Sequence, residues 1–262
     1  MEAADPTASF RADGGDVGVL LCHGFTGTPA SLLPWAKALA AAGYSVRLPL
    51  LPGHGGDVAA ANRSSWTDWF DRVDQEFLAL AATCRQVVVI GLSMGGALAL
   101  RLAEVHDVAP GPSVAGLILV NPSVRLSTRE RWLLPVLRRL ASSARAIGND
   151  IAMESQDEYG LPRTPLHAAA SMARLHTVVA ADLRRVRAPM LMYTSATDHV
   201  VGPESAKLIA ERVGSTEVER VVLHRSYHVA TLDHDAPLIV EGSLAFLQAH
   251  TGAGASRPTV TS

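Results

Sequence analysis

VVVIGLSMGGALAL, residues 87–100, is the stretch from which the fold of this chain can be read. Four β-branched residues, Val87 to Ile90, form a short apolar strand, and a helix of small residues begins at Gly96-Ala97-Leu98 with no loop between them. The chain must therefore reverse direction sharply at Ser93, inside Gly91-Leu92-Ser93-Met94-Gly95. Such a turn strains the serine backbone, and glycine two residues to either side lets strand and helix approach without a Cβ clash. The Ser93 hydroxyl is then held above a sheet edge, with a helix N-terminus and the Met94 N–H beside it. A bare G-x-S-x-G also occurs as an ordinary turn in glycine-rich chains. The strand before it and the helix after it are what point to a nucleophile.

Working outward, VGVLLC (17–22) is a nearly continuous apolar strand, the pattern of a parallel strand covered on both faces. It runs into a loop dense in turn residues, His23 to Pro29, and then a helix expected over 31–42, with Ser31 as N-cap and Gly43 as its stop. SVRLPL (45–50) reads as a strand, 51–56 as a turn, and 66–82 as a helix capped by Ser64 or Ser65. In that helix Trp66, Trp69, Phe70, Val73 and Phe77 recur at helical spacing, a stripe that reads as core. Strand 87–91, helix 94–105 and strand GLILVN (116–121) follow, with a short edge strand at 8–12. Strands and helices alternating in this way predict an α/β fold with a doubly wound, mostly parallel sheet. Ligands of such sheets bind at the carboxyl ends of the strands, the edge that carries both Ser93 and the 23–29 loop.

The alternation stops at Ser123. From there to Leu183, helical patterns such as RWLLPVLRRLASSARAI appear with no convincing strand. We read 1–122 and 184–250 as the core and 123–183 as a helical cap insertion over the site, with ordinary covering helices as the alternative. After Pro189 the pattern resumes with strand 190–195, a helix over 204–213, strand 217–223 and a closing helix over 237–250. Residues 251–262 are expected to be a disordered tail.

The 262 residues carry 23 Lys and Arg against 25 Asp and Glu, a net charge of −2 with no block of one sign, so no nucleic-acid partner is expected. The longest charge-free apolar run near the centre lies between Gln86 and Arg101, shorter than the roughly 20 residues of a membrane span, so no integral membrane segment is expected. MEAADPTASF lacks the basic start and apolar centre of a signal peptide, which suggests a cytoplasmic protein. Cys22 and Cys84 read as small hydrophobes, with neither a disulfide nor a metal site. Oligomeric state is not legible in the sequence.

A serine hydroxyl is a poor nucleophile unless an imidazole takes its proton, and the imidazole needs a carboxylate to fix its tautomer. Those partners belong in loops after later strands, in the order Ser, then Asp or Glu, then His. Asp198 follows strand 190–195 and His228 follows strand 217–223, which makes Ser93, Asp198 and His228 the candidate catalytic set. His199, His224 and His234 compete less well, His199 because it adjoins the carboxylate that would have to orient it. Glu204 and Asp235 are the alternative carboxylates, but both lie at helix starts, where capping accounts for them. The Phe25 and Met94 backbone N–H groups are the candidate oxyanion donors. His23 and His54 read as loop-stabilising residues.

HGFTGTP at 23–29, LPGHG at 51–55, GLSMGG at 91–96, DHVV at 198–201 and SYHVATLDHD at 226–235 together resemble the bacterial carboxylesterase and monoacylglycerol lipase family of α/β-hydrolases. The resemblance spans Val17 to about Ala249. It implies the same triad and oxyanion hole, a small-molecule acyl ester as substrate, and no metal or cofactor. Glyceride-selective relatives hold the glycerol hydroxyls with a cap carboxylate shortly before a Thr-Pro like Thr164-Pro165. Here the approach reads EYGLPR (158–163), with Pro162 where that carboxylate is expected. Leu133, Leu137, Ile147, Ile151, Met172 and Leu175 are candidates to line the acyl chain, or simply to pack the cap. A peptidase, a thioesterase and a carbon–carbon bond hydrolase share the triad and remain alternatives, as does a catalytically silent ligand-binding protein. A dehalogenase would need a carboxylate in place of Ser93.

Overall fold

The structure, a computed structural model, describes residues 5–108, 110–146 and 148–252, without the side chains of 128–131. Its centre is a seven-stranded sheet built from β1 (Phe10–Ala12), β2 (Val17–Cys22), β3 (Ser45–Leu48), β4 (Gln86–Leu92), β5 (Val114–Val120), β8 (Met190–Ser195) and β9 (Val218–Leu223). The strand order is β1-β3-β2-β4-β5-β8-β9, with β1 antiparallel to β3 and the other pairs parallel. Thus the fold is the mostly parallel α/β sheet that the apolar runs imply.

Alternation along each strand divides the core into two faces. Leu20, Cys22, Val87, Val89, Leu117, Leu119, Met190 and Met192 point to one side, against α3 (Trp66–Ala81), α4 (Met94–His106) and α7 (Glu204–Arg212). Val19, Leu21, Val88, Ile90, Ile118, Val120 and Leu191 point to the other, against α1 (Leu33–Ala41) and α8 (Ala236–Thr251). Strands buried on both sides have no polar face to show, which is why β2, β4 and β5 read as unbroken apolar runs. The α3 stripe is core: Trp69, Val73, Phe77 and Leu80 are fully buried. Truncating a buried aromatic such as Phe77 to Ala costs about 3–5 kcal/mol.

Several boundaries differ from the sequence reading for local reasons. Ser31 does not cap α1. It ends a short 3-10 turn, Pro29–Ser31, and its hydroxyl donates to Thr28 O at 2.9 Å, so the helix starts at Leu33. Ser65, not Ser64, heads α3, its N–H donating to Asp68 Oδ2 at 2.7 Å, while Ser64 ends an additional short helix, α2 (Val58–Arg63). At the far end α8 continues to Thr251, stopped by Gly252 at φ 62°, and the rest of the expected tail lies outside the described residues.

Between β5 and β8 the chain forms α5 (Thr128–Leu140), a two-stranded antiparallel ribbon of β6 (Ser143–Arg145) and β7 (Arg163–Pro165), and α6 (Leu166–Asp182). The two helices behave differently. α6 places Ala168, Leu175 and Val179 in the same core cluster as α3 and α4. In contrast, α5 turns its apolar face outward, leaving Trp132 72 %, Leu140 79 %, and Leu133, Val136 and Leu137 all exposed, while Leu134 and Arg138 are half-buried. Leu133 and Leu137, named as candidates for the acyl lining, lie on this exposed face, Leu175 is packed in the core, and Ile147 lies outside the described residues. No helix among the described residues is long and apolar enough to cross a membrane.

One core position on α6 carries a cost. His176 is 3 % exposed, and neither ring nitrogen has a protein partner. Burial lowers its pKa from 6.5 to about 4. Between these values the unfolded chain binds a proton here that the folded chain excludes, so stability falls as the pH drops through that window. His176→Leu should therefore stabilise the fold by about 1–3 kcal/mol, the cost of an unsatisfied buried group, and raise the melting temperature. Thermal unfolding at pH 5 and pH 7.5 should show the larger gain at pH 5; an equal or smaller gain there would contradict the account.

Candidate active site

The carboxyl edge of the sheet holds the candidate residues on the loops that leave β2, β4, β5, β8 and β9. β2 and β4 pair with Cys22 opposite Gly91, so the loop from His23 runs alongside Leu92 and Ser93. A Cβ on Gly24 would stand 3.4 Å from the Ser93 Cβ. Gly95 is needed for this closeness, because a Cβ there would overlap the Cys22 carbonyl. Ser93 itself has φ 56° and ψ −120°, a conformation that costs a non-glycine residue of order 1–3 kcal/mol and persists only where its surroundings over-determine it. They do: its N–H donates to Val120 O at 3.0 Å, and its carbonyl accepts from Gly96 N at 2.9 Å and Ser123 N at 3.0 Å.

Met94 is the first residue of α4, so its N–H has no intrahelical acceptor and faces the end that favours negative charge. Phe25 follows Gly24 on the facing loop. That loop is tied by His23, whose Nδ1–H donates to Gly24 O at 3.0 Å while Nε2 accepts from Leu51 N–H at 3.1 Å. Both ring nitrogens are thus occupied, and burial, with His54 nearby, lowers its pKa to about 3. His54 is packed edge-on between His23 and Trp69 and is lowered by burial to about 4. Neither histidine is available as a base, which agrees with their reading as loop supports.

Asp198 and His228 meet directly. His228 Nδ1 lies 2.8 Å from Asp198 Oδ2, with both side chains 8 % exposed. A carboxylate can only accept, so Nδ1 carries the proton and Nε2 keeps its lone pair. Asp198 Oδ1 accepts the N–H groups of Val200 and Val201, each at 2.8 Å. Burial alone would raise the Asp198 carboxyl, but the hydrogen bond and charge of His228 together with those two N–H groups outweigh it, and its pKa lies below the usual range. The link from this pair to the serine runs through the end of β5. Val120 O holds Ser93, while the next residue, Asn121, donates Nδ2 to His228 O at 2.7 Å.

The alternative residues are engaged elsewhere. His199 bonds Asp150, Asp235 Oδ2 accepts Arg225 N–H and the Ser226 hydroxyl, and His224, His234 and Glu204 are exposed. Among the described residues no group of three or more His, Cys, Asp or Glu side chains is placed to hold a metal ion.

Three further participants escape a reading of the sequence. Asn121 has φ 44°, and its side chain joins β5, β8 and the His228 loop through His228 O, Ser195 Oγ and Ser195 N–H. An Asn directly after an apolar strand is a weak signal for a left-handed residue. Asp233 accepts N–H groups from Ala152, Met153, Tyr227 and His234, joining the segment before β7 to the His228 loop. The third is Glu158. A Cβ on Gly27 would stand 3.1 Å from its Oε2, its Oε1 accepts Asn149 N–H at 3.3 Å, and the charge of His228 acts on it. Burial raises its pKa, against the lowering effect of Asn149 N–H and His228. A carboxylate therefore does face the site, four residues before Pro162. The count from Thr164-Pro165 misses it because the chain folds back between them, with Tyr159 at φ 51° and Leu161 N–H donating to Thr26 O at 2.9 Å.

The chain is similar to several known proteins. The family model Hydrolase_4, described as serine aminopeptidase, S33, matches residues 16–235. The thermostable monoacylglycerol lipase of Bacillus sp. (strain H-257) is 41 % identical over 254 residues, covering 96 % of this chain and 97 % of that protein. The carboxylesterase of Bacillus subtilis (strain 168) is 24 % identical over 240 residues, covering 91 % and 95 %. A solved structure described under LipS and LipT, two metagenome-derived lipolytic enzymes, superposes with a TM-score of 0.89 at 36 % identity, covering 94 % of this chain and 98 % of that one.

Asp198→Asn keeps the shape of the carboxylate but can present an N–H to His228 and favour the wrong tautomer. Turnover of p-nitrophenyl butyrate should fall by about 10⁴-fold. A rate near wild type in steady-state assays would transfer the role to another carboxylate.

Proposed function

This chain belongs to the Hydrolase_4 family, and from that premise we propose that Ser93, His228 and Asp198 carry a two-step acyl transfer whose preferred substrates are monoacylglycerols. The chain is a serine ester hydrolase of the α/β-hydrolase fold. His228 Nε2 takes the Ser93 proton as the hydroxyl oxygen attacks the ester carbonyl, and Asp198 stabilises the imidazolium that forms. The oxyanion is stabilised by the N–H groups of Phe25 and Met94, fixed dipoles that need no reorganisation as charge develops. The alcohol leaves with the proton from His228, and water then cleaves the acyl-enzyme by the same route. The observation that carries this reading is the Asp198–His228 hydrogen bond at the sheet edge where Ser93 is held in its strained turn.

Monoacylglycerols are favoured over simple esters because of Glu158. Its Oε2 lies beside Gly27, two residues from the Phe25 N–H. An ester bound with its carbonyl at Phe25 and Met94 would present its alcohol portion near this carboxylate, which can accept hydrogen bonds from free glycerol hydroxyls and finds none on an alkyl alcohol. The relative of 41 % identity is a monoacylglycerol lipase, which supports the assignment. The compartment we propose is the cytoplasm, in keeping with Cys22 and Cys84 as buried, unpaired thiols.

Two measurements test the proposal. Ser93→Ala should lose on the order of 10⁶ in kcat on p-nitrophenyl butyrate, and comparable turnover by both proteins would sink the mechanism. A hydrogen bond to a charged group contributes about 1.5–3 kcal/mol. Glu158→Gln should therefore lower kcat/KM for monolauroylglycerol by about 10- to 100-fold, at 1.4 kcal/mol per decade, and leave methyl laurate nearly unchanged. Equal losses on the two esters would overturn the glyceride assignment without touching ester hydrolysis. Including an alanine anilide in the panel separates the aminopeptidase reading.

A further inference from the structure

We infer that Asp150 is a positioning residue for catalysis, a carboxylate that ties together the loops carrying the acid and the base of the proposed triad. It lies in the segment between β6 and β7, outside the strand loops that supply Ser93, Asp198 and His228. A tight turn presents it: Ile151 N–H donates to Asn149 O at 2.8 Å, with Asn149 at φ 49°. The side chain is 10 % exposed. Its Oδ2 accepts the backbone N–H of His199 at 3.2 Å and that of His228 at 3.1 Å, residues 49 and 78 positions away in sequence. Its Oδ1 lies 2.7 Å from His199 Nδ1, and its own carbonyl accepts Val229 N–H at 3.1 Å.

One oxygen atom thus holds the residue next to Asp198 and the backbone of His228. The Asp198–His228 hydrogen bond spans these two loops, so fixing both backbones to a common point removes the sliding motion that would lengthen it. Asn121 holds the His228 carbonyl while Asp150 holds its N–H. The two together fix the peptide units flanking the base. Small displacements matter here, because a shift of about 1 Å in a reacting group can cost about 10²-fold in rate. Asp150 touches no substrate in this account; it acts through His228 and Asp198.

The clamp rests on the triad proposed above, and the test separates the two. Wild type, Ser93→Ala, Asp150→Ala and Asp150→Asn are compared on p-nitrophenyl butyrate, with melting temperatures recorded for each. Asp150→Ala should lose about 10- to 100-fold in kcat while KM stays within about threefold. Asp150→Asn keeps an acceptor oxygen for the two backbone N–H groups, so its kcat should recover to within about threefold of wild type. A merely stabilising residue would lower the melting temperature and the active fraction without this rescue. Asp150→Ala with wild-type kcat, a loss confined to KM, or Asp150→Asn as impaired as Asp150→Ala would each overturn the clamp. Should Asp150→Ala fail to fold, Asp150→Glu replaces it: the carboxylate is kept but displaced by one methylene, and kcat must still fall with KM unchanged. Wild-type turnover that does not depend on Ser93 would overturn the triad, and the clamp with it.

Discussion

The turn at Ser93 is the constraint around which the rest of the structure is arranged. A serine at φ 56° and ψ −120° is unfavourable by itself, and it holds because three backbone hydrogen bonds, from β5, from the start of α4 and from the segment after β5, leave it no alternative. Those bonds require α4 to sit close against β2 and β4, which in turn requires glycine at 91 and 95. The approach that admits the helix also brings the 23–27 loop beside the serine. Strain, helix dipole and facing loop are consequences of one close packing.

The opposite side of the site is built differently, by carboxylates that bond backbone rather than cations. Asp198, Asp150, Asp233 and Asp235 together accept N–H groups from Val200, Val201, His199, His228, Ala152, Met153, Tyr227, His234 and Arg225. Charge-assisted bonds of this kind are about twice as strong as neutral ones, and they organise irregular chain where no helix or strand ladder can. A hydrogen-bonded pair such as Asp198 and His228, carried on two loops, needs such support, because loops without it are mobile. Asn121 and Asp150 hold the two sides of the same peptide stretch, so His228 is gripped from the sheet and from the segment between β6 and β7.

Two helices in that segment show how far amphipathic pattern can be taken. α5 and α6 both carry regularly spaced apolar residues, and period alone says only that each has an apolar side. α6 turns that side inward, while α5 turns it to solvent and leaves Leu134 and Arg138 half-buried. Which neighbour a helix meets depends on how the chain between β5 and β8 is anchored, and the anchors are long-range: Asn62 to Ser142 O and His167 N–H, and Ser171 to Trp66 N–H.

Read alone, the amino-acid sequence determined the sheet, its parallel character and the sharp turn at Ser93, because these depend on local signals: apolar runs, glycine spacing and a strand passing directly into a helix. It also determined Ser93, Asp198 and His228 as candidates, since chain order and loop position narrow the choice to few residues. Only the tertiary structure decided what holds them. Asn121, Asp150 and Asp233 are polar residues in irregular chain, and their partners lie up to 107 positions away, so no periodicity marks them. Glu158 was hidden for the same reason, since a counted offset assumes a straight path and the chain folds back past Tyr159 to set that carboxylate beside Gly27. Local structure follows from nearest-neighbour sterics and burial, whereas the grip on His228 and the placing of Glu158 beside Gly27 come from contacts that exist only after the chain has closed on itself.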